Sequence, residues 1–169
     1  ASDVYKRQDI WLSVHNTHPD WVLDIYGQGM LQDELQQKII AANAGTYIHL
    51  KGSSPDIMYE YLNCSLLVLT SRYEGFPMAL LEAMACGVPC VTYDCPFGPR
   101  SMVTNMRNGI LVKEGDKKEM VDKINYLIEN EKNRKKIGTN ARKYVLQYSQ
   151  KNIMDKWNIL FNNCLTLTS

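Results

Sequence analysis

The sequence has no excess charge of either sign. Nineteen Lys and Arg against eighteen Asp and Glu leave a formal net charge of +1 over 169 residues. No overall basic field draws in nucleic acid, and no acidic tail is present. Long apolar runs are also lacking, since nothing approaches the roughly 18 to 20 residues of a membrane-spanning helix, and Ala1 to Gln8 is too polar for a signal peptide. The expected location is cytoplasmic. The five cysteines are odd in number and have no C-x-x-C spacing, which argues against a disulfide framework or a zinc site. Cys64, Cys86 and Cys90 sit among apolar residues and read as reduced core filler.

What remains is a globular composition, 45% hydrophobic and 22% charged, about the length of one domain. Extended and helical patterns alternate, as in βαβ units on a parallel sheet. Strands are expected over residues 21–26, 47–50, 66–69, 88–92 and 109–112. Helices are expected over 31–44, stopped by Gly45, then over 55–63 and 77–86. The continuous run Leu66 to Leu69 suits a central strand buried on both faces. Residues 94–100 look irregular, and from about residue 116 everything is helical: 117–129, 132–147 and 151–165. The expected fold is α/β, a Rossmann-like parallel sheet with helices on both faces in a single domain spanning 9–169. Residues 1–8 show neither period and read as a non-native or atypical leader, ahead of Trp11 and Val14, which look like the end of an amphipathic helix.

The most informative segment runs from Ser71 to Pro89. A buried strand ends near Thr70, a loop with Gly75 follows, and Pro77 is placed at the first helical position, where its missing N–H costs nothing. The amides around Gly75, Phe76, Met78 and Ala79 lack intrahelical partners and lie at the positive end of the helix dipole, so the turn can hold a diphosphate. Small residues at Ala79, Ala83 and Ala85 let the helix lie close to the sheet. Glu74 precedes the helix and Glu82 lies about one and a half turns inside it. Each carboxylate can accept two strong hydrogen bonds from vicinal hydroxyls. Spacing alone leaves a second account open, in which Glu74 stabilises the dipole and Glu82 is simply solvated.

Glu74 and Glu82, within Glu-Gly-Phe-Pro-Met-Ala-Leu-Leu-Glu-Ala-Met-Ala-Cys-Gly-Val-Pro, resemble the signature of the retaining GT-B glycosyltransferases of family GT4 (glycosyl transferases group 1). His18-Pro19-Asp20-Trp21 leading to Tyr26-Gly27-Gln28-Gly29, then His49-Leu50-Lys51-Gly52 and Asn108-Gly109-Ile110-Leu111-Val112 extend the resemblance over about residues 11–163. It corresponds to the C-terminal, donor-binding half of such enzymes. The resemblance implies that Glu82 binds ribose hydroxyls, that Glu74 with the amides of Gly75 and Phe76 acts on the transferred sugar as the catalytic carboxylate, and that amides near Met78 and Ala79 hold the diphosphate. Gly27, Gly29 and Gly52 would admit the nucleotide, and Ser53 and Ser54 would border the base. Residues 94–100 resemble a variant found in builders of bacterial surface polysaccharides, often from UDP-sugars. Neither cofactor nor metal is implied, and no Asp-x-Asp motif occurs.

Two features depart from that pattern. The family's first strand, with a Gly-Arg pair and a later Lys, has no counterpart before Trp11, and Lys6 and Arg7 are poor substitutes. The N-terminal domain, which would bind a glycan or lipid-linked acceptor, is absent. The parent enzyme is expected to be a hexosyltransferase, while the isolated chain could be a nucleotide-sugar-binding module without activity of its own. Among the remaining candidates, His15 and His18 are read as a helix-end accident and not a metal pair. His49 could face the cleft or solvent. Residues 131–143 carry six basic side chains against one acid, a solvated face or a peripheral contact with an anionic membrane. Trp157, Leu160 and Phe161 recur at helical spacing and are assigned to packing.

Overall fold

The computed structural model describes residues 2–95 and 98–166. Ala1 and the Pro96-Phe97 pair of the 94–100 stretch lie outside the described residues, as do the side chains of Lys6 and Arg7. The chain opens with α1 (Ser2–Thr17) and then alternates β1 (Leu23–Tyr26), α2 (Gln32–Ala41), β2 (Ile48–Gly52), α3 (Ile57–Asn63), β3 (Leu67–Leu69), α4 (Met78–Ala85), β4 (Cys90–Asp94), α5 (Pro99–Met102) and β5 (Ile110–Lys113). Three helices follow: α6 (Lys117–Glu129), α7 (Glu131–Val145) and, after a 3-10 turn at Leu146–Tyr148, α8 (Gln150–Thr166). All strand pairs are parallel, yet they fall into two sheets, β1 with β2 and β3-β4-β5.

Alternation along β4 sorts the core into two layers. Val91 and Tyr93 join Ile10, Trp11 and Val14 of α1 and Met120, Ile124 and Leu127 of α6. Cys90, on the opposite face, joins Leu80, Ala83 and Met84 of α4 and Ala141 and Val145 of α7. Helices therefore cover both faces. Helix α1 lies against α6, where Asp9 and Lys117 form an ion pair.

Several local expectations need correction. Residues 2–8 are helical, as part of α1, and Gln8 is buried with its amide donating to the Leu35 carbonyl at 3.0 Å. This polar residue completes the buried stripe of Trp11 and Val14, and its partner lies 27 positions away. Helix α2 stops before Gly45, because Asn43 takes the left-handed conformation (φ 51°) and the amides of Asn43 and Ala44 return to Ile40 and Ile39, closing a Schellman cap. Strand β4 continues through Asp94, and Pro99 starts a short helix within the stretch expected to be irregular. Cys90 is fully buried, but Cys64 is exposed, with its thiol donating to the Tyr61 carbonyl at 3.4 Å. Ala85 is also exposed, so Ala83 is the small residue that meets the core. Trp157, Leu160 and Phe161 do not pack into the core: Trp157 stacks on Phe161 and all three remain about half exposed.

Candidate functional site

The loop from β3 to α4 is built as a turn into an uncapped helix. Pro77, with φ −77° and ψ 84°, is the N-cap and not the first helical residue, because its carbonyl accepts the first helical bond from Leu81 at 3.1 Å. No side chain caps this end, so the first-turn amides keep the positive end of the dipole open toward an anion. Pro77 is buried and anchors the turn, while Gly75, Phe76 and Met78 are exposed and Glu74, Ala79 and Glu82 are half-buried. The Phe76 ring meets Tyr148 edge-on, with centroids 6.0 Å apart.

Glu74 and Ala79 border a cavity of about 650 Å³, which Tyr26, Glu60, Tyr61 and Ser71 also line. Glu82 is joined to it through Tyr61, whose hydroxyl donates to a Glu82 carboxylate oxygen at 3.3 Å. Burial, and then the adjacent Glu82 charge, pushes the Tyr61 phenol well above its usual range. Of the two acids named from the sequence, Glu74 stands on the loop ahead of α4 and Glu82 within the helix, with one carboxylate held by a side chain from α3.

The glycines contribute through the backbone. Gly27 and Gly52 take φ values of 123° and 67°, and the Gly27 amide donates to the Gly52 carbonyl at 2.7 Å, joining the ends of β1 and β2. Gly29 follows, with its carbonyl accepting from the Gln32 amide at 3.1 Å. Ser53 is exposed, whereas Ser54 donates to Glu60 at 3.2 Å. The Tyr26 hydroxyl reaches the other Glu60 oxygen at 2.7 Å, and burial followed by that carboxylate raises the Tyr26 phenol. Of the site residues named from sequence, only Glu74 and Ala79 line the cavity, whereas Glu82, Gly75, Phe76, Met78, Gly27, Gly29, Gly52, Ser53 and Ser54 do not.

Sequence reasoning passed over Tyr26, Glu60 and Tyr61. Glu60 is 34 positions from Tyr26, and nothing local marks the pair. It also passed over the tight contact of Gly98: a Cβ there would stand 2.9 Å from Pro77 Cδ and 3.1 Å from Glu74 Cβ, at a φ of 88°. Arg100 of α5 donates two bonds of 2.7 and 2.9 Å to the Asp94 carboxylate, in the fork geometry arginine favours. Gly98 therefore sits close against the Glu74 turn. His49 is committed elsewhere, to its cross-strand neighbour Asp24 at 2.7 Å. His15 stacks on Tyr47 and His18 faces Glu129 at 3.4 Å.

Residues 5–144 match the family model described as Glycosyl transferases group 1. The chain is 32% identical over 140 residues to a poly(ribitol-phosphate) alpha-N-acetylglucosaminyltransferase of Staphylococcus aureus, an alignment covering 82% of this chain and 28% of that protein. It is 29% identical over 147 residues to a poly(glycerol-phosphate) alpha-glucosyltransferase of Bacillus subtilis, covering 87% of this chain and 22% of that protein. The fold superposes with a TM-score of 0.89 and 28% identity on a crystal structure of a S. aureus TarM point mutant in complex with Fondaparinux, alpha-GlcNAc-glycerol and UDP, covering 96% of this chain and 33% of that one. The chain thus spans well under half the length of these relatives.

Proposed function

This chain belongs to the glycosyl transferases group 1 family, with a GT-B type donor-domain fold, and on that premise we propose that it is the donor-binding half of a retaining hexosyltransferase that uses a UDP-sugar to build a cell-surface polysaccharide. The observation that carries this reading is the uncapped end of α4, which follows Glu74 in the chain and leads into Glu82, whose carboxylate accepts from Tyr61. The UDP held by a relative of the same fold supports it. In this reading the amides near Met78 and Ala79 take the diphosphate and stabilise it as it departs, which is electrostatic stabilisation by fixed dipoles and calls for no metal. Glu82 accepts from the ribose hydroxyls. Glu74 and the Gly75 and Phe76 amides hold the transferred sugar, while Gly27, Gly29, Gly52, Ser53 and Ser54 line the nucleotide's approach. A glycan or lipid-linked acceptor would be presented by polypeptide outside these residues, so the isolated chain acts as a binding module. Among the described residues no helix is long and apolar enough to cross a membrane. A cytoplasmic protein with α7 near the inner membrane face fits the proposed role.

Calorimetry separates the two carboxylates. Glu82→Ala should weaken UDP binding by about 1.5 to 3 kcal/mol, the range for hydrogen bonds to a charged group. Glu74→Ala should leave UDP nearly unchanged and remove the extra affinity of a UDP-sugar. Unchanged UDP affinity in folded Glu82→Ala would sink the ribose assignment, and equal losses for both ligands in Glu74→Ala would move that residue to the nucleotide.

A further inference from the structure

Glu60 closes a ring around two glycine turns. The Tyr26 hydroxyl donates to one oxygen of its carboxylate at 2.7 Å, and the Ser54 hydroxyl donates to the other at 3.2 Å. Tyr26 ends β1 just ahead of Gly27, and Ser54 follows two residues after Gly52, which ends β2. The Gly27 amide completes the circuit by donating to the Gly52 carbonyl at 2.7 Å. Both glycines take positive φ values, 123° and 67°, and glycine has more backbone freedom to lose on ordering than any other residue. The clasp from α3 supplies the order that these turns lack in side chains. Ser54 is fixed from a second side, because its oxygen also accepts from the Asp56 amide at 3.2 Å, and Asp56 in turn caps α3 by accepting from the Tyr59 amide at 3.1 Å. Next along the helix, Tyr61 donates to Glu82 at 3.3 Å. Successive helical residues point about 100° apart, so α3 holds the ends of β1 and β2 with one residue and the acid of α4 with the next.

We propose that Glu60 is a positioning residue for the nucleotide half of the donor: it sets the turn at Ser53 and Ser54 against the end of β1, so that the base meets a preformed edge. The inference rests on the donor reading, in which Gly27, Gly52, Ser53 and Ser54 line the nucleotide's approach and the diphosphate is held at the end of α4. Holding a carboxylate partly out of water costs free energy unless hydrogen bonds compensate, and for the half-buried Glu60 two neutral hydroxyls from separate elements do so. Bonds to an ionised acceptor are strong, and they order the turn before a ligand arrives. Order already present in the free protein raises affinity, because less freedom is lost on binding. Glu60 therefore acts through Ser54 and Tyr26 and not by touching the ligand. Its influence falls on the base side of the site, since the amides that take the diphosphate belong to a different loop.

Titrations of the full chain with UDP and with inorganic pyrophosphate, followed by NMR, test this. Glu60→Leu keeps the approximate size of the side chain and removes both acceptors, so it should weaken UDP by about tenfold. Pyrophosphate needs only the end of α4, and its affinity should change by less than about twofold in the same variant. Glu60→Gln should stay within about threefold of the wild type for UDP, because its carbonyl accepts from one hydroxyl while its NH2 can donate to the other. Tyr26→Phe, which keeps the ring and strips one donor, should fall between the two and carries the test if the leucine variant does not fold. Equal UDP affinity in the wild type, Glu60→Leu and Tyr26→Phe would overturn the proposal. So would equal losses of UDP and pyrophosphate, the mark of a general disruption of the fold. A glutamine variant as weak as the leucine one would also overturn it, by showing that the charge itself meets the ligand. Failure of the wild-type chain to bind UDP, or to bind pyrophosphate, would overturn the donor reading and this inference with it.

Discussion

Tyr61 connects the chemistry of the site to the stability of the fold. Its phenol is lifted above its ordinary value of 10.0, by burial first and by the Glu82 charge second. A group whose folded pKa is raised gives stability that is fully present below the unfolded value and lost as pH climbs toward the folded one. The melting temperature of the wild-type chain should therefore fall more steeply above about pH 10 than that of Tyr61→Phe, which has no proton to lose. Parallel pH profiles would remove the Tyr61–Glu82 bond from the account. The sequence made the acids legible and hid their supports. Glu74 and Glu82 share one strand-loop-helix segment, so spacing and resemblance both point to them. Tyr61 meets Glu82 across 21 positions, and Glu60 meets Tyr26 across 34. Contacts of that range depend on how α3 docks, which no local pattern encodes.

Among the elements, the crossing of α7 over the turn from α4 to β4 is fixed by a glycine. A Cβ at Gly138 would stand 2.0 Å from the Gly87 carbonyl oxygen and 3.3 Å from Pro89 Cδ, and neither backbone nor proline ring can step aside. Gly138→Ala should destabilise the protein by about 1 to 3 kcal/mol, the usual cost of overpacking, even though alanine favours a helix interior by about 1 kcal/mol over glycine. A higher melting temperature in this variant would show that the helix can slide at no cost. The strands and the three C-terminal helices were readable because their apolar periods are regular and their stops are local, as with Asp116, whose side chain caps α6 by accepting from the Glu119 amide. The beginning of α1 was not. Its buried stripe includes Gln8, a residue that belongs inside only because a carbonyl of α2 receives it. The face of α8 misleads in the opposite direction: Trp157, Leu160 and Phe161 have a core helix's spacing but remain half exposed.

On the scale of the whole molecule, the proposed function sets the site in a cleft between two halves, of which these residues would supply one. The donor should consequently bind in the open, where exposed electrostatic contacts are worth about 0 to 1 kcal/mol each. Titration of this chain with UDP should give a Kd on the order of 0.1 to 1 mM, or about 4 to 5.5 kcal/mol, weakening as salt is added. Incubation with a UDP-sugar should release no sugar beyond background hydrolysis, since in the proposed reading the acceptor is presented, and water excluded, by polypeptide outside these residues. Low-micromolar binding or turnover would show that these residues already form a complete clamp.

The packing of α1 on α6 also sets a schedule. Asp9 and Lys117 lie 108 positions apart, whereas each β-α-β step between them closes over a few tens of residues. During synthesis the early units can form as they leave the ribosome, but the apolar side of α1 has to wait for a helix made two-thirds of the way through the chain. Until then Ile10, Trp11 and Val14 face water beside an unfinished sheet, an invitation to premature association that chaperones exist to answer. Ribosomes that stall before α6 has left the exit tunnel should hold a nascent chain that is sticky, and those that stall once residue 129 has cleared it should hold one that has closed.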